Sequence, residues 1–285
     1  MVIPFTVKTI RASHAIFLDS LAAEVEKRAK NAMDPIPVDI LRNILEHVDR
    51  AGLLKMCLLN KICCSCSQDV LYRDVIAGNG GIGQTLVNSS HLARRVRSFS
   101  LYAHDKELAK MLRNMTSLRR LSLCEGGRVS NTMDGCTFKL ESLTCCYDFD
   151  ESFLKFLYSQ PSLTTLRILA SVKIPELEAT CLPNLTRVSA WFPWISNLIR
   201  GRPVNDVSVI GEESELNYFG TNDFDYSVLS TAPIRKLWIS YHFLFPTPAP
   251  ILASITPSLV YFSMKIPVHF IRSIDARRVR PALFV

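Results

Sequence analysis

The chain has 285 residues, of which 48% are apolar, and this is enough to bury a sizeable core in one or two domains. It holds no run of about eighteen uninterrupted apolar residues, so we expect no membrane span, and we expect no secretory signal because charged residues interrupt its first apolar stretch. The formal net charge is +7, but the charged residues are unevenly distributed: residues 94–120 and 272–280 are basic, and residues 211–227 are acidic. Because the acidic segment separates the basic clusters, this distribution favours a solvated surface or a polarised protein partner over a nucleic-acid-binding face.

Residues 1–33 are predicted to form an N-terminal extension that is helical in part. Residues 19–32 mix charged and small apolar side chains and predict a solvated helix. Residues 1–18 contain Lys8 and Arg11 but no acid, which leaves a mitochondrial presequence as an alternative for this segment.

Residues 34–76 predict a small helical head. In its first helix, which Asp34 is predicted to cap, apolar residues recur at steps of three and four: Val38, Leu41, Leu45 and Val48, widened by Ile40 and Ile44. A second helix carries Leu53, Leu54, Met56, Leu58 and Leu59, and a third runs through the cysteines to Leu71 and Tyr72. Three helices of about ten residues bury little surface alone, so this apolar surplus predicts a surface that docks on something else.

The head resembles an F-box. The pentad Ile36-Pro37-Val38-Asp39-Ile40 matches the apolar-Pro-x-acid-Ile opening of that family, and the leucine pairs at 53–54 and 58–59 follow in register. Asn60-Lys61-Ile62-Cys63 stands where such proteins often carry Cys-Lys/Arg-x-Trp. The resemblance implies docking on the Skp adaptor of SCF-type cullin–RING ubiquitin ligases through Ile36, Pro37, Ile40, Leu41, Ile44, Leu45, Leu53, Leu54, Leu58 and Leu59. The alternative is an ordinary amphipathic helix bundle.

One template, apolar-x-x-apolar-x-apolar, recurs eight times after the head. Its copies start at residues 96, 118, 140, 163, 185, 204, 234 and 259, at steps of 22, 22, 23, 22, 19, 30 and 25 residues. These steps fall close to the range of about 20–29 residues that is typical of leucine-rich repeats. The apolar-x-apolar half of each copy predicts a strand with alternate side chains on one face. Prolines at 161, 183, 203, 233 and 257 precede five of these strands, where a missing N–H is harmless.

The predicted fold class is therefore α/β: a short three-helix F-box, then a curved leucine-rich-repeat solenoid with a parallel β-sheet on its concave face. Residues 77–93 are predicted to be a Gly-rich linker, 94–268 the solenoid and 269–285 a basic tail. Helices are expected between strands at 105–115, 150–159, 194–200 and 250–255. The chain resembles F-box proteins with leucine-rich repeats; the alternative is an unrelated α/β fold with leucine-rich strands.

The sequence predicts neither an enzyme nor a metal or cofactor site. None of the metalloprotease, serine-hydrolase, P-loop or dinucleotide motifs occurs. Cys63 and Cys66 have the C-x-x-C spacing of a zinc site, but no second pair is spaced to complete four ligands. Nine cysteines at irregular spacing do not form a disulfide framework, so we interpret them as buried thiols.

The template also predicts which side chains face a partner. In leucine-rich solenoids the x positions around the second apolar residue, and the position after the third, line the concave face. The large side chains there form the predicted target-binding set: Tyr102, Arg120, Arg167, Arg187, Trp191, Trp238 and Tyr261. Tyr, Trp and Arg dominate interface hot spots. For Trp191 and Trp238, packing against neighbouring strands or a loop is the alternative.

The leading hypothesis is a substrate receptor of an SCF-type ubiquitin ligase, with a Skp-type adaptor and an unknown target protein as partners and a cytoplasmic or nuclear location. The competing hypothesis is a leucine-rich scaffold whose head is only the N-terminal cap of the solenoid. A nucleic-acid binder is a third hypothesis, and it would show salt-dependent binding.

Overall fold

The computed structural model describes residues 36–78, 81–102, 107–124, 132–146, 150–169, 177–210, 230–240 and 258–265. The predictions for the N-terminal extension, the Asp34 cap, the acidic segment 211–227, the helix at 250–255 and the basic tail lie outside these residues. The chain divides into two compact units, Met1–Arg73 and Asp74–Val285. Within the described residues, no helix is long and apolar enough to cross a membrane.

The first unit contains three short helices: α1 at Val38–Leu45, α2 at Arg50–Met56 and α3 at Lys61–Leu71. Two of them begin at side-chain caps, because the Gly52 N–H donates to Asp49 and the Cys63 N–H donates to Asn60, each at 2.8 Å. Helices α1 and α2 both pack against α3. The core between them consists of Leu41, Leu45, Leu53, Cys63 and Cys66.

Helix α3 contains no tryptophan, and its buried side is made of small residues. Cys63 and Cys66 face the core from α3, where small thiols fill the space beside Leu45 and Leu53. Two ion pairs link the end of α1 to the end of α3: Arg42 with Asp69 at 3.3 Å and Glu46, just after α1, with Arg73, just after α3, at 2.7 Å. Both pairs are partly exposed, so packing contributes more to this unit than they do.

The second unit is built on a nine-stranded parallel sheet whose strands follow one another in sequence order. The strands are β1 Asp74–Ala77, β2 Ser98–Leu101, β3 Arg120–Leu123, β4 Ser142–Cys145, β5 Thr165–Ile168, β6 Arg187–Trp191, β7 Asp206–Ile210, β8 Lys236–Ser240 and β9 Tyr261–Lys265. Its described helices are α4 Ile82–Asn88, α5 Ser90–Ala93, α6 Leu108–Asn114, α7 Glu151–Tyr158 and α8 Phe192–Ile199. The chain is therefore a mixed α/β protein.

The register of the eight predicted strands is confirmed. The second apolar residue of each template pairs with the same position of the next, from Phe99 with Leu121 to Leu237 with Phe262. From Phe99 to Leu237 these side chains are at most 5% exposed, as buried alternate positions of a strand should be. The carbonyl of the residue before each of β2–β8 accepts two N–H bonds from the following repeat, as Arg97 does from Arg119 and Arg120 at 2.9 Å.

Two predictions at the start of this unit differ from the structure. The predicted head extends to residue 76, but Asp74–Ala77 is the first strand, with Val75 paired to Phe99 and Ala77 to Leu101. The predicted linker 77–93 contains α4 and α5, whose Leu86, Val87, Leu92 and Ala93 are buried. The glycines around residue 80 suggested a loop, but the apolar residues that follow them contribute to the core.

Candidate binding surfaces

The ten residues predicted to bind the adaptor fall into two groups. Leu41, Leu45 and Leu53 are buried in the core of the first unit, and Ile44 is half-buried, so the prediction that the three leucines form a docking surface does not agree with their positions. The other six are exposed: Ile36, Pro37, Ile40, Leu54, Leu58 and Leu59. The division follows helix geometry, because Leu41 and Leu45 lie four residues apart on one face of α1 while Ile40 lies on another, and Ile36 and Pro37 precede the helix.

The exposed leucines cluster where α2 turns into α3. Leu54, Leu58, Leu59 and Ile62 are each more than half exposed, and Leu58 reaches 86%. We call these four residues the corner patch. A chain segment of nine residues holds all four, and two turn bonds fix its backbone, from the Leu58 N–H to Lys55 O at 3.0 Å and from the Leu59 N–H to Met56 O at 3.2 Å.

A shallow groove of about 420 Å³ adjoins the corner patch and is lined by Cys57, Leu58, Asn60, Lys61, Cys64, Ser65 and Gln68. Burial, and then the neighbouring Cys64 thiol, raises the pKa of Cys57. A thiol that stays protonated behaves as a small apolar group, so Cys57 adds to the apolar character of the groove. Ile62 is not among the residues predicted to dock on the adaptor; it belongs to the patch because it is exposed in the first turn of α3.

The C-x-x-C pair is part of the core. Cys63 and Cys66 are 8% and 2% exposed, and burial raises the pKa of the Cys63 thiol. Within the described residues, no group of three or more His, Cys, Asp or Glu side chains is placed to hold a metal ion. The structure thus positions these two thiols as packing residues of the first unit.

The second candidate surface is the side of the sheet opposite the buried apolar columns, which we call the open face. Alternate residues of each strand reach it and are half-buried or exposed. They form two rows across β2–β8: Ser98, Arg120, Ser142, Thr165, Arg187, Asp206 and Lys236, and then Ser100, Ser122, Thr144, Arg167, Ser189, Ser208 and Trp238. Hydroxyl side chains therefore occupy eight of these fourteen positions, with the cations between them.

Six of the seven residues predicted to bind a target are exposed: Tyr102, Arg120, Arg167, Arg187, Trp238 and Tyr261. Trp191 is different, because it is only 6% exposed and its indole N–H donates to the Leu169 carbonyl at 3.3 Å. It is the last residue of β6, and α8 begins directly after it. Of the two roles considered for Trp191, packing is the one that the structure supports.

The three arginines of the open face differ in how closely an acidic side chain approaches them. Arg120 reaches Asp74 at 2.8 Å, whereas Arg187 lies 3.9 Å from Asp206. Arg167, between them, has no ion pair within the part of the chain that the structure describes. Its neighbours across the sheet are Thr144 and Ser189. Exposed ion pairs of this kind contribute at most about 1 kcal/mol, so they leave these arginines available to a ligand.

Two thiols lie beside this row at the ends of β3 and β4. Cys124 and Cys146 follow the paired residues Leu123 and Cys145, and the Ser122 hydroxyl lies 3.2 Å from the Cys124 sulfur. Burial, and then the Cys124 thiol, raises the pKa of Cys146, while the charge of Arg167 opposes that rise. The register of β4 and β5, with Thr144 paired to Arg167 and Cys145 to Ile168, brings Arg167 to this end of the open face.

No family model and no curated protein matches the chain.

Proposed function

We propose that the chain is the substrate-recognition subunit of an SCF-type cullin–RING ubiquitin ligase, in which the head is an F-box that docks on a Skp-type adaptor and the repeats form a leucine-rich solenoid that binds the target. The corner patch carries this proposal. The first unit already has a filled core of leucines and thiols, yet it exposes four large aliphatic residues within nine positions. Contiguous exposed apolar residues of this kind mark interaction sites.

The contribution of such a subunit to the reaction is proximity. It holds a target lysine near a ubiquitin-charged enzyme that other subunits supply, and it performs no bond chemistry itself. The exposed residues of the open face, with its arginines and Trp238, have the composition of binding hot spots and fit the target-binding part of this proposal.

Co-purification with a Skp-type adaptor tests the docking proposal. Leu58→Asp places a charge on the most exposed leucine of the patch, and we expect at least about a 30-fold loss of adaptor binding, as for a hot-spot residue. Ile76→Asp is the matched control, because Ile76 is 71% exposed on β1 in the other unit. Unchanged binding by the Leu58 variant, or equal losses in both variants, would contradict the proposal.

The scaffold alternative has one observation in its favour. Strand β1 pairs with β2 alone among the described strands, and an edge strand is commonly covered by another part of the chain. If the head serves only as a cap, deletion of residues 34–73 is expected to unfold the repeats. Far-ultraviolet circular dichroism and urea unfolding of the truncated chain measure this loss of structure. If the head is a docking module, the repeats keep a cooperative unfolding transition without it.

A further inference from the structure

The open face holds a cation in a setting that suits a carboxylate. Arg167 is exposed on β5, with the hydroxyl side chains of Thr144 and Ser189 at the paired positions of β4 and β6. Neighbouring strands lie about 4.8 Å apart, so both hydroxyls are within reach of a group bound to the guanidinium. An arginine fork binds the two oxygens of a carboxylate through parallel N–H bonds, and the hydroxyls donate to the lone pairs that remain.

A second cation lies at a spacing that an extended peptide matches. Arg187 on β6 pairs with Thr165, two residues before Arg167 on β5. One strand across and two residues along place the two Cα atoms about 8 Å apart. Alternate side chains of an extended chain project from one side every 6.6 Å or so. Two acidic residues with one residue between them therefore fit Arg167 and Arg187 together.

Charge along the rest of the face argues against a nucleic acid. Asp206 belongs to the first row and Asp74 pairs with Ser98 at the β1 end of it, and their carboxylates lie 3.9 Å from Arg187 and 2.8 Å from Arg120. A phosphate backbone carries a charge at every nucleotide and requires a continuous run of cations. A short peptide with two carboxylates needs only two cations, and Arg167 and Arg187 supply them.

We infer that the open face binds an extended acidic segment of a protein, with one Asp or Glu carboxylate on Arg167 between Thr144 and Ser189 and a second on Arg187. This inference names the chemistry of the target and rests on the proposed role of the open face as the target-binding surface. Lys236 and Trp238, farther along the two rows, extend the same surface towards β8.

Fluorescence polarisation of the full chain with three labelled octapeptides tests the inference. The probes alternate serine with glutamate, glutamine or lysine, so that only the first offers carboxylates at alternate positions. We expect the glutamate peptide to bind at least about tenfold more tightly than the other two, as charge-assisted bonds predict. Equal binding of the glutamate and glutamine peptides, or tighter binding of a labelled single-stranded oligonucleotide, would overturn the inference.

Matched variants separate this site from the general positive charge of the chain. Arg167→Gln is expected to weaken binding of the glutamate peptide about tenfold, and Arg167→Lys less, because lysine keeps the charge without the fork. Arg119→Gln removes another exposed charge, paired with Glu141 at 2.9 Å, from the residue just before β3. It is expected to change binding less than twofold. Equal losses of peptide affinity from Arg167→Gln and Arg119→Gln would show that the net charge of the chain alone attracts the peptide, and would overturn the inference.

The same proteins distinguish failure of this inference from failure of the proposed function. Arg167→Gln is expected to keep adaptor binding, and Leu58→Asp is expected to keep peptide binding. A chain that binds the peptide as described but not the adaptor has an acidic-segment site and no F-box role. A chain that binds the adaptor but does not prefer the glutamate peptide refutes the carboxylate site and leaves the docking proposal standing.

Discussion

At the scale of single residues, the largest fully buried side chain in the described part of the chain carries a charge. Arg202 is 0% exposed, and burial lowers the pKa of its guanidinium from its usual value. Its N–H groups donate to six carbonyls: those of Leu177, Glu178, Cys181, Asn197, Leu198 and Arg200, at 2.6–3.2 Å. Three of these lie at the end of α8, where carbonyls lack helical partners and the helix dipole favours a cation. The guanidinium thus joins the 177–181 segment to the end of α8.

Replacing Arg202 tests this role. Arg202→Met keeps the approximate length of the side chain but leaves several buried carbonyls without donors, at about 1–3 kcal/mol each. We expect the free energy of unfolding to fall by at least about 3 kcal/mol in urea titrations. Arg94→Met, at an exposed position, is the control, and it should stay within about 0.5 kcal/mol of the unsubstituted chain. Equal effects of the two changes would contradict the account of the buried cation.

Gly201, the residue before Arg202, has a steric role of its own. Gly201 has φ +71°, and a Cβ added there would lie 2.7 Å from the Ala179 Cβ. Gly135 has a similar φ of +76°, but the nearest atom to its added Cβ is the Arg113 Nε at 3.5 Å, an ordinary contact. Alanine costs about 1–2 kcal/mol at either site through backbone strain. We expect Gly201→Ala to lower the melting temperature clearly more than Gly135→Ala; an equal effect would mean that the contact with Ala179 relaxes freely.

The Cys136 thiol is expected to make the stability of the fold depend on pH in the alkaline range. Burial raises the pKa of Cys136 from 9.0 to about 11, with the charge of Arg113 opposing the rise. The folded state therefore holds this proton more tightly than the unfolded chain does. Its contribution to stability is complete below about pH 9 and is lost as the pH rises through 11. The full shift corresponds to about 2.7 kcal/mol, and because the thiol is partly exposed we expect a loss of about 1–2 kcal/mol.

Urea unfolding under reducing conditions at about pH 8 and about pH 10.5 measures this loss. The decrease in unfolding free energy should be larger in the unsubstituted chain than in Cys136→Ala, which has no thiol to titrate at that position. Parallel decreases in both proteins would assign the alkaline loss to other groups.

At the scale of elements, the repeats were predictable and the faces of the head helices were not. A buried column needs an apolar residue at the same template position in every strand, so spacing alone located β2–β9 and their register. Strand β1 was not predicted, because it contains the small residue Ala77 and directly follows the head, so that the template is difficult to recognise there.

Helix α1 has apolar residues on two sides, and periodicity does not tell which side meets α3. The position of Trp191 likewise depends on α8, a tertiary neighbour.

Substitutions of two leucines in the head are expected to affect stability and docking separately. Leu45 is fully buried, and Leu45→Ala should cost about 2–5 kcal/mol of unfolding free energy through the cavity that it leaves. Leu58→Ala should change stability by less than about 0.5 kcal/mol, since Leu58 is 86% exposed, yet it should weaken adaptor binding. Urea unfolding and adaptor titration on both variants check the pair. A strongly destabilised Leu58→Ala would show that the corner patch serves folding.

At the scale of the whole molecule, each unit has buried apolar residues and an exposed surface of its own among the residues that the structure describes. The first unit exposes aliphatic residues at the corner patch, and the second exposes hydroxyls and arginines on the open face. These two chemistries suit two different partners, one apolar and one acidic. A receptor in a multi-subunit ligase needs two such separate attachments, because it must hold its target while it remains docked.

The most direct test of this account is a calorimetric titration of the full chain with a Skp-type adaptor, followed by size-exclusion chromatography with light scattering. The account predicts a one-to-one complex with a dissociation constant of about 1 μM or tighter, which Leu58→Asp abolishes and Ile76→Asp leaves intact. An absence of any complex, at concentrations at which a consensus F-box protein binds the same adaptor, would contradict it.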